Sequence, residues 1–175
     1  MFFKETSDVF FNDRKQFLEQ RPIDIAFVDG KHTHEQSLKD VLNVLKYLKD
    51  DGIIVMHDSN PSSKAHATKA ESWEEAESLG VEGWTGGWCG DVWKTTVYLR
   101  VNRKDLNVFV LNTDSGLSII TRKSAYNYLD KDEQISLSGN AFEKLNYSDL
   151  ESNRKSFLNL KEIDYFQTFL DKLEV

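Results

Sequence analysis

Residues 23–61 read IDIAFVDGKHTHEQSLKDVLNVLKYLKDDGIIVMHDSNP, and this stretch decides the fold class. An apolar run at residues 23–28 ends in Asp29, a helical pattern follows, and a second apolar run at residues 53–56 leads to Asp58. Both runs are almost continuously apolar, as in strands that are covered on both faces. The order strand, helix, strand predicts parallel strands joined by a right-handed crossover. Asp29 and Asp58 therefore come at the carboxyl ends of neighbouring strands, where open α/β sheets bind ligands.

The helix between the two strands has boundary signals of its own. Thr33 followed three residues later by Gln36 fits a capping box. An apolar face extends to Leu48, and the Asp51-Gly52 pair is interpreted as the helix break.

The segments around this stretch complete an α/β pattern. Residues 9–19 predict a helix that begins at an N-cap, either Ser7 or Asp8. Residues 91–101 are interpreted as a helix, and the β runs at 106–111 and 117–121 as an antiparallel hairpin at the sheet edge. The remaining predicted helices are 71–79, 125–129, 147–160 and 163–173.

Length and composition exclude several classes of protein. The 175 residues suit one domain with a real core. A net charge of −7 argues against nucleic acid or an anionic membrane as a partner. The single cysteine, Cys89, excludes an internal disulfide and fits a reducing compartment. We found no membrane-spanning or signal sequence, so a cytoplasmic location is expected.

The stretch 23–61 resembles the fourth strand, the following helix and the fifth strand of class I S-adenosylmethionine-dependent methyltransferases. It is closest to the branch with a signature of roughly IDGxHxYxxxxxD…L…GGxIxxHDxxP. GDVWK at 90–94 and VFVLNTDSGLSII at 108–120 are also similar to that branch, whose last two strands form an antiparallel edge. The resemblance covers most of residues 7–123. It implies S-adenosylmethionine as the cofactor and a small-molecule acceptor.

The resemblance implies a partial Rossmann-like methyltransferase sheet, with parallel strands, an antiparallel edge hairpin and C-terminal helices. Residues 1–123 would form the C-terminal portion of such a domain, and residues 124–175 a helical extension packed on it. The glycine-rich cofactor loop of the family is absent, since the only glycine cluster, at 80–90, does not follow a strand. On this reading the domain is truncated by three strands. The apolar strand 23–28 would then pair with a separate N-terminal segment, a second copy, or a rearranged part of the chain.

Asp29 and Asp58 are the first candidate site residues. In metal-dependent members of the family the matching acids bind a magnesium ion that orients the acceptor hydroxyl. Asn60 or Ser59 could supply a third oxygen ligand. A purely structural interpretation is also open: Asp29 would cap the next turn or helix, and Asp58 would form an Asx turn before Pro61.

Histidines and the N-terminal polar residues come next. His32 follows Asp29-Gly30, where the family often places a histidine, and could act as general base; His34 and His57 are more simply loop residues. Cofactor contacts are expected from Thr6, Ser7, Asp8 and Asp29 by resemblance, although an N-cap role explains the first three equally well.

Trp84 and Trp88 could stack on a sugar or aryl acceptor or anchor the loop, whereas Trp93 is more simply a core residue.

Three functions compete. The first is a methyltransferase, expected to act on a hydroxyl of a small molecule or sugar, with magnesium assistance as an option. The second is a non-catalytic chain that completes its sheet with a partner or a second copy. The third, a metal-dependent hydrolase, rests on His32-x-His34 with His57-Asp58, and has few further histidine ligands to draw on.

Overall fold

A computed structural model of the chain describes residues 2–122, 129, 137 and 141–172. Within these residues, one sheet is formed by four strands, β1 (Ile23–Val28), β2 (Leu48–Met56), β3 (Asn107–Leu111) and β4 (Leu117–Thr121). Their order across the sheet is β1-β2-β4-β3. β1 and β2 are parallel, and β4 is antiparallel to both β2 and β3. The α/β fold with parallel strands and an edge hairpin is thus confirmed, and β4 is the one reversed strand of the four.

The helices of the described part are α1 (Ser7–Asp13), α2 (Lys15–Gln20), α3 (His34–Leu45), α4 (Trp73–Ser78), α5 (Trp93–Asn102), α6 (Tyr147–Leu158) and α7 (Tyr165–Asp171), with a 3-10 turn at Ala141–Lys144. The predicted helices at 71–79, 91–101, 147–160 and 163–173 correspond to α4 to α7. The prediction for 125–129 lies outside the described residues, apart from Leu129. None of the described helices is both long enough and apolar enough to span a membrane.

Several local predictions are wrong. The helix predicted at 9–19 is two short helices, because Arg14 has non-helical dihedral angles. β2 begins at Leu48 rather than after Gly52, because pairing of Ile23 with Leu48 outweighs the weak strand propensity of a Lys-Asp-Asp-Gly segment. The capping box does not form: Thr33 makes no side-chain cap bond, and the first amide of α3 donates instead to Asp91.

The core is built on both faces of the sheet. On one face α3 and α5 pack against the strands through buried residues such as Val41, Leu99 and Ile54. On the other face α7 covers β3 and β4, with Phe169 against Phe109 and Ile119. A third cluster joins α6 to α5. The C-terminal helices therefore pack on the same sheet as the strands that carry the two aspartates.

β1 lies at an open edge. Among the described residues it pairs with β2 alone, and its side chains Ile25 and Phe27 are 69% and 62% exposed. Sheet edges of this kind are usually covered or charged in soluble proteins. A groove of about 870 Å³ runs along β1 towards Asp29, with α1 and α2 as its other wall.

Candidate functional site

The parallel pairing of β1 and β2 places their carboxyl ends side by side. Val28 and Met56 are register partners, and the amide of His57 donates to the carbonyl of Val28 at 3.0 Å. The next residues, Asp29 and Asp58, therefore begin adjacent loops at the same edge. The Asp29 side chain is 39% exposed and the Asp58 side chain 5%. One carboxylate thus faces solvent and the other is held inside.

Asp58 has a strained backbone that its neighbours hold in place. Its φ is +58°, a left-handed conformation that non-glycine residues rarely adopt. The amide of Ser59 donates to the carbonyl of Gly116 at 3.2 Å, and the amide of Asn60 donates to that of Ser115 at 2.7 Å. Such strain persists only where surrounding contacts fix it, and it is common at functional sites.

His32 is fixed by the glycine-rich loop. Its Nδ1 lies 2.8 Å from the carbonyl oxygen of Trp88, and the two rings pack with their centroids 4.9 Å apart. A carbonyl only accepts hydrogen bonds, so the proton is on Nδ1. In the neutral ring Nε2 then carries a lone pair. That nitrogen lies 3.0 Å from Asp58 Oδ2 and 3.7 Å from Asp29 Oδ1.

Asp29, His32 and Asp58 form a cluster whose ligand atoms all lie within 4.8 Å of one another. Asp58 Oδ2 is buried and has no hydrogen bond of good geometry within the described chain, although the His32 and His57 rings lie within ion-pair distance of it. Both the carboxylate oxygen and His32 Nε2 therefore offer lone pairs to the same small space. A proton on either group, or a bound cation, would make this contact between two acceptors attractive.

Burial and charge shift the pKa values around the cluster. Burial raises the pKa of Asp58, against the opposing effect of His32 and His57. Burial alone would lower the pKa of His57, but the carboxylates of Asp58, Asp114 and Asp29 outweigh it and raise that pKa. Burial, and then the charge of Asp58, raises the pKa of Cys89 to about 12. Burial thus disfavours the charged form of Asp58, whereas the neighbouring carboxylates favour the charged form of His57.

Asn60 is not brought into the cluster. Its side-chain Oδ1 accepts a hydrogen bond from Arg154 of α6, and its Nδ2 donates to Asn112 Oδ1 at 3.2 Å. Ser59 Oγ donates to the carbonyl of Met56 at 3.1 Å. The side chains of Ser59 and Asn60 are therefore engaged elsewhere, and His32 is the third member of the cluster with Asp29 and Asp58.

The other histidines serve different purposes. His34 is buried: its Nδ1 lies 3.0 Å from Thr95 Oγ1, and its ring packs edge-on against Phe142. Burial lowers its pKa, with Asp91 opposing that shift. His66 lies between Ser62 and Thr85. The His32-x-His34 pair therefore does not converge on one metal site.

The four residues expected at the cofactor line one groove. Thr6, Ser7, Asp8 and Asp29 all border the 870 Å³ space beside β1. Thr6, rather than Ser7 or Asp8, is the N-cap of α1, because its hydroxyl accepts from the amide of Val9. The carboxylate of Asp8 forms an ion pair with Lys39 at 2.6 Å, which lowers its pKa.

Sequence reasoning missed two supports of the site. Trp88 was considered either as a stacking residue for an acceptor or as a loop anchor. Its carbonyl and ring contact His32, and its Nε1 donates to the carbonyl oxygen of Thr68 at 2.7 Å. Gly90 has φ +61°, and a Cβ there would lie 1.8 Å from the carbonyl oxygen of His32. The glycine-rich loop supports His32 through Trp88 and Gly90. It lies between α4 and α5 and does not follow a strand, so it is not placed like the cofactor loop of the family. The glycine cluster itself was the signal available in the sequence.

Comparison with known proteins gives one match. Residues 2–59 match a family model described as "Methyltransferase domain". No significant match was found among curated proteins or among solved structures. The matched segment contains β1, α3 and β2 and includes all three residues of the cluster. The match supports the resemblance of this part of the chain to class I S-adenosylmethionine-dependent methyltransferases.

Proposed function

We propose that the chain catalyses O-methyl transfer, with the acceptor hydroxyl held by a divalent cation bound to Asp29, His32 and Asp58. The observation that carries the proposal is the cluster of three ligand atoms within 4.8 Å at the ends of β1 and β2. Its place at the carboxyl edge of a parallel pair is where α/β enzymes bind substrate.

The donor set fits a cation. Ligands held at about 2.1 Å from a common octahedral ion stand about 3 Å apart, and His32 Nε2 lies 3.0 Å from Asp58 Oδ2. Metal-bound histidines usually donate their other ring N–H to a carbonyl or carboxylate, as His32 does to Trp88. Two carboxylates with one imidazole suit Mn²⁺ at least as well as Mg²⁺, which prefers oxygen ligands alone.

Each residue has a role in this scheme. Asp58 supplies a buried carboxylate whose pKa is raised by burial, and this supports a cation as its partner. His32 supplies the neutral nitrogen, and Asp29 keeps an exposed face towards the acceptor. A bound divalent cation lowers the pKa of a coordinated hydroxyl. The polar rim formed by His57 and Asp114, whose side chains are 3.0 Å apart, suits a sugar or another polyhydroxylated small molecule.

The groove beside β1 fits the methyl donor. S-adenosylmethionine supplies an activated methyl group as a sulfonium. A space of about 870 Å³ is within the range of cofactor pockets, which is about 300–1,000 Å³. Phe3, Phe10 and Phe11 give it apolar walls, and Asp8 and Asp29 give it acidic groups.

Calorimetry with Mn²⁺, Mg²⁺ and S-adenosylhomocysteine tests the proposal. We expect saturable Mn²⁺ binding that is lost in Asp58→Asn and His32→Gln but kept in the matched controls Asp24→Asn and His66→Gln. Absence of Mn²⁺ and Mg²⁺ binding at millimolar concentration would refute the metal site. Methyl transfer that survives EDTA but is lost in His32→Gln would instead favour His32 as a general base.

A further inference from the structure

Arg154 of α6 reaches across to the loop that follows β2. Its Nη1 donates to Asn60 Oδ1 and to the carbonyl oxygen of Pro61, the latter at 2.8 Å. Its Nη2 donates to the hydroxyl of Tyr147 at 3.2 Å, and the guanidinium lies 5.7 Å from the centre of that ring. The Tyr147 hydroxyl in turn donates to the carbonyl of Ser62 at 2.9 Å. One arginine and one tyrosine thus tie α6 to residues 60–62.

The same loop is held from the opposite side by the β3–β4 turn. The backbone of Asn60 donates to Ser115, and its side-chain Nδ2 donates to Asn112. The side-chain amide of Asn60 is therefore hydrogen-bonded through both its oxygen, to Arg154, and its nitrogen, to the β3–β4 turn. Asn60 lies two residues after Asp58, whose left-handed backbone needs such restraint.

We propose that Arg154 is a positioning residue for Asp58, and that α6 contributes to the site by carrying this arginine. Asn60 transmits the contact and does not bind the cation. The inference rests on the proposed role of Asp58 as a metal ligand. It extends the site to a helix that lies outside the segment matched by the methyltransferase-domain family.

The chemistry favours arginine at this position. The planar guanidinium presents several N–H donors in a fixed fork, so it can satisfy an amide oxygen, a carbonyl and a hydroxyl together while packing on a ring. Lysine carries its charge at one nitrogen on a flexible chain and cannot reproduce this arrangement. Methionine retains the apolar stem and removes every donor. Arg154→Lys should therefore be intermediate between the wild type and Arg154→Met.

The test compares these two variants with Arg103→Met. Arg103 is a suitable control because it pairs with Asp105 at the end of α5 and, among the described residues, makes no hydrogen bond or ion pair to residues 60–62. Removal of groups that orient metal ligands typically weakens metal binding 10- to 100-fold. We expect the Kd for Mn²⁺ to rise about 10-fold in Arg154→Met, to rise less in Arg154→Lys, and to stay unchanged in Arg103→Met. Measurements are made well below the melting temperature of each variant.

NMR signals of the His32 imidazole in the metal-free chain give a second readout. They should shift in Arg154→Met, because Asp58 Oδ2 lies beside that ring, and should not shift in Arg103→Met. Wild-type Mn²⁺ affinity together with unshifted His32 signals in Arg154→Met would overturn the positioning role. A wild type that binds no Mn²⁺ would overturn the metal site alone, and the His32 signals would then decide the role of Arg154.

Discussion

Substitution of Gly90 by alanine tests whether the glycine-rich loop holds His32. Gly90 has φ +61°, and an added Cβ would lie 1.8 Å from the carbonyl oxygen of His32 and 2.9 Å from the carbonyl carbon. Both neighbours are backbone atoms, so no side-chain rotation can relieve the contact. The loop, or the segment that carries His32, has to move.

Two contributions set the size of the effect. An alanine in a left-handed conformation costs about 1–2 kcal/mol. Displacing packed backbone costs roughly 1–3 kcal/mol more. Gly80 provides a matched control, since its φ is +58° and a Cβ there meets nothing within 4 Å. We expect Gly90→Ala to lose roughly 2–5 kcal/mol of unfolding free energy and Gly80→Ala only the first 1–2 kcal/mol.

Urea denaturation measures both losses, provided that the slope m is unchanged. Calorimetry with Mn²⁺ gives a second comparison, because movement of the His32 backbone displaces Nε2 from the two carboxylates. Gly90→Ala should therefore weaken Mn²⁺ binding, whereas Gly80→Ala should leave it unchanged. Equal losses of stability in the two variants would show that the close approach of Gly90 to His32 is not present in solution.

Three further outcomes are expected. Burial lowers the pKa of His34, so the unfolded chain binds more protons than the folded chain, and the free energy of unfolding should fall as pH drops below 6.5. Urea titrations should show a smaller fall in His34→Gln. An equal fall in the wild type and the variant would refute a role of His34 in this pH dependence. Cys89, with its pKa raised to about 12, should react with a thiol reagent at pH 8 only after unfolding; rapid labelling of the native chain would contradict its burial. Phe109→Ala should cost about 3–5 kcal/mol by urea denaturation, whereas Phe27→Ala should cost far less because its side chain is 62% exposed; equal costs would mean that the β1 face is covered in solution.

The sequence predicted the elements whose signals are local. β1 was predicted with its observed bounds because an apolar run is interrupted sharply by Arg21-Pro22 and Asp29-Gly30. The start of β2 could not be predicted, since its first residues are poor strand formers and only pairing with β1 makes them extended. At these residues the local propensity disfavours a strand, but pairing with β1 favours one and determines the structure.

In the candidate site, too, local sequence signals could be predicted and long-range contacts could not. Asp29 and Asp58 could be proposed from sequence because each comes at the carboxyl end of a predicted strand, whereas His32 was proposed by resemblance and as a general base. Asn60 was expected to be an oxygen ligand beside the two aspartates. No residue near Asn60 in the sequence indicates that its Oδ1 accepts a hydrogen bond from Arg154. A sequence pattern could therefore narrow the candidate site residues, but their grouping required the three-dimensional contacts.

The residues that hold the side chains of the cluster in place are distant from them in the sequence. Trp88 fixes the tautomer of His32, the β3–β4 turn fixes the backbone after Asp58, and Arg154 fixes the same loop from α6. All three lie beyond residues 2–59, which carry every proposed ligand. A peptide limited to those residues would keep the ligands but lose the contacts that orient them. Metal affinity, which depends on such orientation, should therefore respond to substitutions in the later segments even when no ligand is changed.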